Sequence, residues 1–274
     1  MNGTPALADP KPSTMPMRET TPRVFLIARP SIDLEAMHGY LGDVGGASWL
    51  ELRSGSENDA EMLVEFAGRM CYRSWEPGLN PNVTRIRTDR REYFANILRS
   101  GHGSVLEHAN YSLALRNVSR VMTHELVRHR AGSAFSQESL RYVRLADIGF
   151  RVPPALEPLR EKVLSIVEQL EEFQASAAKE LGIDEEGVPF HVKKEITSAM
   201  RRLAPIGLST DIIWTANVRT LRHVIEMRTA AGAEEEMRLV FDEVARVMIA
   251  EAPGLFQDFS RSDDGSWTPQ HHKV

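Results

Sequence analysis

ANYSLALRNVSRVMTHELVRHRAGSAFSQESLRY, residues 109–142, changes its structural period part-way along. Residues 109–119 partly alternate apolar and polar side chains, which predicts a strand with one covered face. At Ser119 the pattern switches. SRVMTHELVRHR (119–130) has helical spacing, and Ser119 is a residue type that caps a first turn. A strand running straight into a helix and then into a loop of small residues points away from an all-helical or all-strand chain.

The flanking sequence extends the mixture. Upstream, RVFLIARP (23–30) is an apolar run stopped by proline and predicts a strand. DAEMLVEFAGRMCY (59–72) and TDRREYFANILRSG (88–101) predict helices, the second opening on a Thr-Asp cap and closing at Gly101. Downstream, ALEPLREKVLSIVEQLEEFQASAAKELG (155–182) predicts the longest helix, with its charges on a solvated face. Then come a helix at 191–205, a strand at LSTDIIWTAN (208–217), and helices at NVRTLRHVIEMRTA (217–230) and 233–252. Helices and strands alternate irregularly, without an internal repeat, so the class is α+β.

The opening residues 1–22 contain five prolines and no apolar signal-like core, and are expected to form a disordered tail. Residues 23–260 are expected to form a single domain, and RSDDGSWTPQHHKV (261–274) a flexible end. With 274 residues and 42% apolar content, the chain can build one large core or two small ones. Its net charge of −5 speaks against a non-specific nucleic-acid binder. No apolar run approaches the roughly 18 residues of a membrane span. Cys71 stands alone, so no intramolecular disulfide can form and a reducing cytoplasm fits best. Near the end of an apolar helix, that thiol is expected to be a small buried hydrophobe and not a nucleophile.

Two attractive motifs fail. In HELVRH (124–129) the histidines are five apart and diverge by about 140°, so they cannot share a metal as in a zinc-protease helix. GHGSVL (101–106) starts like a dinucleotide loop but has Leu106 where the third glycine belongs. No metal site is implied.

What remains is positive charge. RHRAGSAFSQESLRY (128–142) holds Arg128, His129, Arg130 and Arg141 against one acid, Glu138. Small residues let main-chain amides approach an anion while arginines supply forked donors. That suits a ligand with more than one phosphate, or two phosphorylated ligands side by side; salt bridges between helices are the alternative. In the helix at 217–230, Asn217, Leu221, Val224 and Arg228 fall within about 60° on the wheel. An arginine on an apolar stripe needs an acid from another segment or an anionic or carbonyl-rich ligand. Arg219 and His223 neighbour each other on another side. GHGSVLEH (101–108) offers two histidines, a serine and a glutamate, as caps or as contacts to a flat heterocycle.

RHR, the small-residue loop and SLRY (139–142), with GHGSVLEH before them and RRLAP and NVRTLRHVIEMR after, resemble the flavin-dependent thymidylate synthases over roughly residues 60–250. The resemblance implies an α+β homotetramer with active sites between subunits. It implies FAD held by His102, Ser104, Glu107, Arg128, His129, Arg130, Asn217, Arg219 and His223. It implies the nucleotide held by Glu125, Arg128, Gln137, Ser139, Leu140, Arg141, Arg201 and Arg228. The chemistry implied is C5 methylation of dUMP, with methylenetetrahydrofolate as carbon donor and NADPH as reductant. Arg228 would polarise the uracil, and Ser139 would donate a hydrogen bond to the nucleotide instead of attacking it. The family places seven residues between RHR and the serine, whereas eight (131–138) stand here, with Ser136 as the alternative serine. The same chemistry on UMP and a non-catalytic flavin or nucleotide sensor are the competing readings.

Overall fold

The computed structural model describes residues 18–53, 58–142 and 149–274. Its described strands are β1 (Arg18–Glu19), β2 (Arg23–Ala28), β3 (Asn110–Ser119), β4 (Ser133–Gln137), β5 (Gly149–Phe150), β6 (Ser209–Asn217), β7 (Phe259–Arg261) and β8 (Trp267–Pro269). The first helices are α1 (Leu34–Val44), α2 (Ala47–Glu51), α3 (Asp59–Tyr72), α4 (Arg90–Arg99) and α5 (Arg120–Leu126). Further along are α6 (Arg160–Glu180), α7 (Phe190–Met200), α8 (Val218–Thr229) and α9 (Glu235–Glu251). The mixture is α+β, as the sequence predicts. Capping residues start the helices where they were expected: Asp89, Ser119 and Asn217 accept from the amides of Glu92, Met122 and Thr220 at 2.6, 3.1 and 2.9 Å.

Where the sequence predicts one domain over 23–260, the described residues group into two compact units, one of those within 22–137 and 211–274 and one of those within 18–21 and 138–210. The larger unit is built on a sheet in the order β2-β3-β6-β4. β2 runs antiparallel to β3 with Val24 opposite Leu115, and β4 antiparallel to β6 with Phe135 opposite Trp214. Leu113, Leu115, Ile212 and Trp214 point into a core completed by Leu221 and Val224 of α8 and Phe241 and Val244 of α9. Each such side chain contributes about 1.5–3 kcal/mol by leaving water, and the same core fixes α8 against the sheet. A second cluster, Met37, Leu41, Trp49, Met62 and Trp75, seats α1 and α2 on α3. The sequence reading missed both of those helices. Gly39 and Gly42 weaken α1 by about 1 kcal/mol each, and burial of Met37 and Leu41 offsets it.

In the smaller unit β1 lies parallel to β5, pairing Arg18 with Gly149. Phe150, Val152, Val167 and Leu208 form its core, and Leu140 packs against them. The tail expected over 1–22 is thus already a strand at Arg18–Glu19; residues 1–17 lie outside the described residues. The helix expected from residue 155 starts as a 3₁₀ turn, Pro154–Leu159, because Pro158 has no amide to give to an α-helix. The flexible end expected over 261–274 is instead a β7–β8 hairpin followed by a segment tied down at Gln270 and His271, whose amides reach Asp258 at 2.9 and 3.2 Å.

Arginine is also a structural residue here. Glu65 is fully buried and accepts from Arg53 at 2.8 Å, Arg69 at 2.9 Å, Arg90 at 3.2 Å and Trp49 at 3.1 Å. Burial opposes its charge, but the bond from Arg53 and the charges of Arg69 and Arg53 outweigh it, and its pKa lies below the ordinary carboxylate value.

Candidate functional site

The RHR stretch meets the start of α8 where α5 ends early. It stops at Leu126, and Arg128-His129-Arg130 lie in tight turns, with the His129 amide on the Leu126 carbonyl at 3.0 Å. The helix expected through residue 130 therefore gives way to a turn that carries all three residues. Gly132 follows at φ +66°, where a Cβ would overlap the Asn217 side chain. That close approach pins the turn to the start of α8. The Asn217 amide donates to the Gly132 carbonyl at 3.2 Å, and the Thr220 hydroxyl to the Ala131 carbonyl at 2.8 Å.

Beside this junction, within the larger unit, is a cavity of about 620 Å³. It is lined by Glu107, Arg128, His129, Arg130, Asn217, Arg219 and His223, residues drawn from all three stretches singled out in the sequence. Arg219 reaches Glu107 at 2.6 Å. Among the described residues, no acid or hydrogen-bond acceptor meets the Arg128 or Arg130 side chain. Two unpaired guanidiniums, Asn217 and the N-terminal end of α8 face one cavity, a donor set that fits a diphosphate. Thr220, Arg222, Glu226, Pro269, His271, His272 and Val274 also line it and were missed. Arg222 and Glu226 could have been found, since they follow Arg219 at helical spacing; the residues after β8 carry no such signal.

Other expected residues sit elsewhere. His102 leaves the cavity lining and stacks on Tyr72, whose hydroxyl is 3.2 Å from its Nε2. Ser104 lies exposed in the 3₁₀ turn Gly103–His108. Arg228 is met by an acid from another segment, one of the alternatives its apolar stripe left open: it donates to Glu125 at 2.7 Å and, through Nε, to His129 Nε2 at 2.8 Å. Gln137 donates to Thr123 at 3.1 Å. β4 pairs with β6 in unbroken register from Ser133 to Gln137, so no bulge there takes up the extra residue, and Ser136 is an exposed strand residue.

In the smaller unit, the Ser139 hydroxyl accepts from the Arg141 amide at 3.3 Å. Leu140 packs into the small core. Arg141 lines a second, open cavity of about 410 Å³ with His191, Lys194 and Arg202, while Arg201 is exposed beside it in sequence and does not line it. Cys71 is exposed, not buried as expected; its thiol donates to the Ala67 carbonyl one turn back at 3.4 Å.

The model of the thymidylate synthase complementing protein family matches residues 54–254. The chain belongs to the flavin-dependent thymidylate synthase family. A protein of that name from Mycolicibacterium gilvum (strain PYR-GCK) is 37% identical over 202 residues, covering 72% of this chain and 78% of its own. Those of Mycobacterium marinum (strain ATCC BAA-535 / M) and Mycobacterium sp. (strain JLS) are 37% and 38% identical, over 73% and 74% of this chain and 79% and 82% of theirs. The family segment contains the RHR turn, the GHGSVLEH stretch and α8, and it ends before Asp258 and the β7–β8 hairpin.

Within this family member, His129 is neutral. Burial, the Arg228 charge and His223 together lower its pKa to about 4, and its Nε2 is free to accept from Arg228. Between pH 6.5, the ordinary histidine value, and about 4, the unfolded chain binds a proton at this ring that the folded chain does not. The stabilisation is complete above pH 6.5 and is lost as pH falls through that window. For a partly exposed ring, screened by solvent, the loss is of order 1 kcal/mol. His129→Gln should flatten that part of the melting temperature–pH curve. A difference between the two proteins that stays constant from pH 7 to 4.5 would show that His129 is not held neutral.

Proposed function

We propose that this chain converts dUMP to dTMP, with FAD in the larger cavity, methylenetetrahydrofolate as carbon donor and NADPH as reductant. The observation that carries the reading is the cavity itself. It gathers Glu107, Arg128, Arg130, Asn217, Arg219 and His223 from three separate stretches and leaves two guanidiniums without an acid. Arg128, Arg130 and the α8 N-terminus hold the cofactor diphosphate, and His129 and His223, with ring centroids 6.3 Å apart, offer flat surfaces to its rings. The chemistry a bound FAD supplies is hydride transfer between NADPH and the one-carbon unit; the protein contributes orientation and electrostatics.

Gln137, Ser139, Leu140, Arg141 and Arg201 are assigned to the nucleotide, with Ser139 as a donor and not a nucleophile. Arg228, fixed by Glu125 and His129, places its guanidinium to stabilise charge developing on the uracil ring. Cys71 has no step to perform. The same reading carries a cytoplasmic homotetramer with sites between subunits.

The test is tritium release from C5-labelled dUMP and UMP, side by side, with methylenetetrahydrofolate and NADPH. Release from dUMP alone is expected. Release from UMP alone would transfer the activity to the ribonucleotide. Release from neither, by protein that holds flavin, would make it a sensor.

A further inference from the structure

Residues 267–274 lie beyond the segment matched by the family model, yet they form part of the cavity wall. They run along one side of α8. The Trp267 amide donates to Thr229 at 2.8 Å, and His272 Nδ1 meets Glu226 at 2.5 Å. The His271 amide reaches Asp258, which in turn holds Arg222. Arg219 Nε donates to the Val274 main-chain oxygen at 3.2 Å. Positions 229, 226, 222 and 219 are spaced three and four apart, so the segment follows one helix face. Its far end rests on the GHG stretch. Gly101 has φ +70° with Lys273 close by, and a Cβ at Gly103 would overlap the Val274 main chain. The segment therefore bridges α8 and the GHGSVLEH stretch, two of the three sources of the cavity's polar residues.

We propose that residues 267–274 act as a strap that closes one side of the flavin cavity. In it His271 and His272 face the cofactor, and the Val274 main chain holds Arg219, already paired with Glu107, in a fixed orientation. Arg219 is a positioning residue in this arrangement, because its guanidinium is fixed from two sides before the ligand arrives. This inference rests on the assignment of FAD to the cavity.

The test titrates FAD into flavin-free protein in three forms: the full chain, the chain lacking residues 271–274, and His271→Ala/His272→Ala. Iodide quenching of bound-flavin fluorescence is measured in parallel. The deletion should weaken FAD binding roughly tenfold, the scale of losing two or three polar contacts, and raise iodide quenching several-fold. Its melting temperature should stay within a few degrees of the full chain. The double-alanine variant, which keeps the main chain, should give a smaller change in the same direction and carries the test if the deletion does not fold. Unchanged affinity and quenching in the folded variants would overturn the strap and leave the cofactor assignment standing. A full chain that binds no FAD would overturn both.

Discussion

Arg228→Ala should lower kcat by about 10²–10³, the scale seen when one donor to developing charge is removed, while the purified protein keeps its full complement of flavin. The guanidinium is held at 2.7 Å from Glu125 and 2.8 Å from His129, and its side chain is only 16% exposed. It lies outside the lining of the larger cavity, to which the proposed function assigns FAD, so its removal should leave cofactor binding intact. An interaction made only as charge builds on the ring lowers kcat and kcat/KM together and leaves KM nearly unchanged. Arg228→Lys keeps the charge but cannot donate to both Glu125 and His129 in the same plane, so it should restore only part of the loss. Free guanidinium ion should rescue the alanine variant and not the lysine one. Activity within threefold of the parent protein would remove Arg228 from the chemistry. A parallel loss of flavin would recast it as a support for His129.

How much of this was legible in the sequence depends on how far each signal reaches along the chain. Ser119 and Asn217 cap helices by bonding amides three residues ahead, so α5 and α8 start where a local reading puts them. The strand at 208–217 buries Thr210, Ile212, Trp214 and Ala216 in strict alternation, again a local pattern. β4 was missed because SAFSQ is short and small; it becomes a strand only by pairing with Ile212–Ala216, far along the chain. The site divides in the same way. RHR, GHGSVLEH and NVRTLRH could be recognised as polar and cationic clusters, but Glu125 and His129 as partners of Arg228 depend on α5 ending four residues before Arg130. The strap is the extreme case. Its bonds to α8 reach residues 38 to 55 positions earlier, and no periodicity within 267–274 announces them.

Asp258→Ala should be the most destabilising single substitution among those bearing on the site. Asp258 receives both terminal nitrogens of Arg222 at 2.8 and 3.0 Å, with the two side chains 4% and 5% exposed. Arg222 also donates to the Leu255 carbonyl at 2.7 Å and lies over the Phe259 ring at 4.9 Å. Removing the carboxylate leaves a guanidinium buried without its counter-charge, a loss of about 3–5 kcal/mol. At about 2–4 °C per kcal/mol for chains of this size, the melting temperature should fall by roughly 10 °C. The His271 amide loses its acceptor in the same step, so the strap should loosen in whatever protein remains folded. Arg222→Met/Asp258→Ala removes both charges and should recover a good part of the loss, since the penalty comes from the unpaired ion and not from the missing attraction. Thermal and urea unfolding of the two variants would decide it. If the double variant were as unstable as Asp258→Ala, the cost would lie in lost packing over Phe256 and Phe259. The electrostatic account of how residues beyond the family segment brace α8 would then fail.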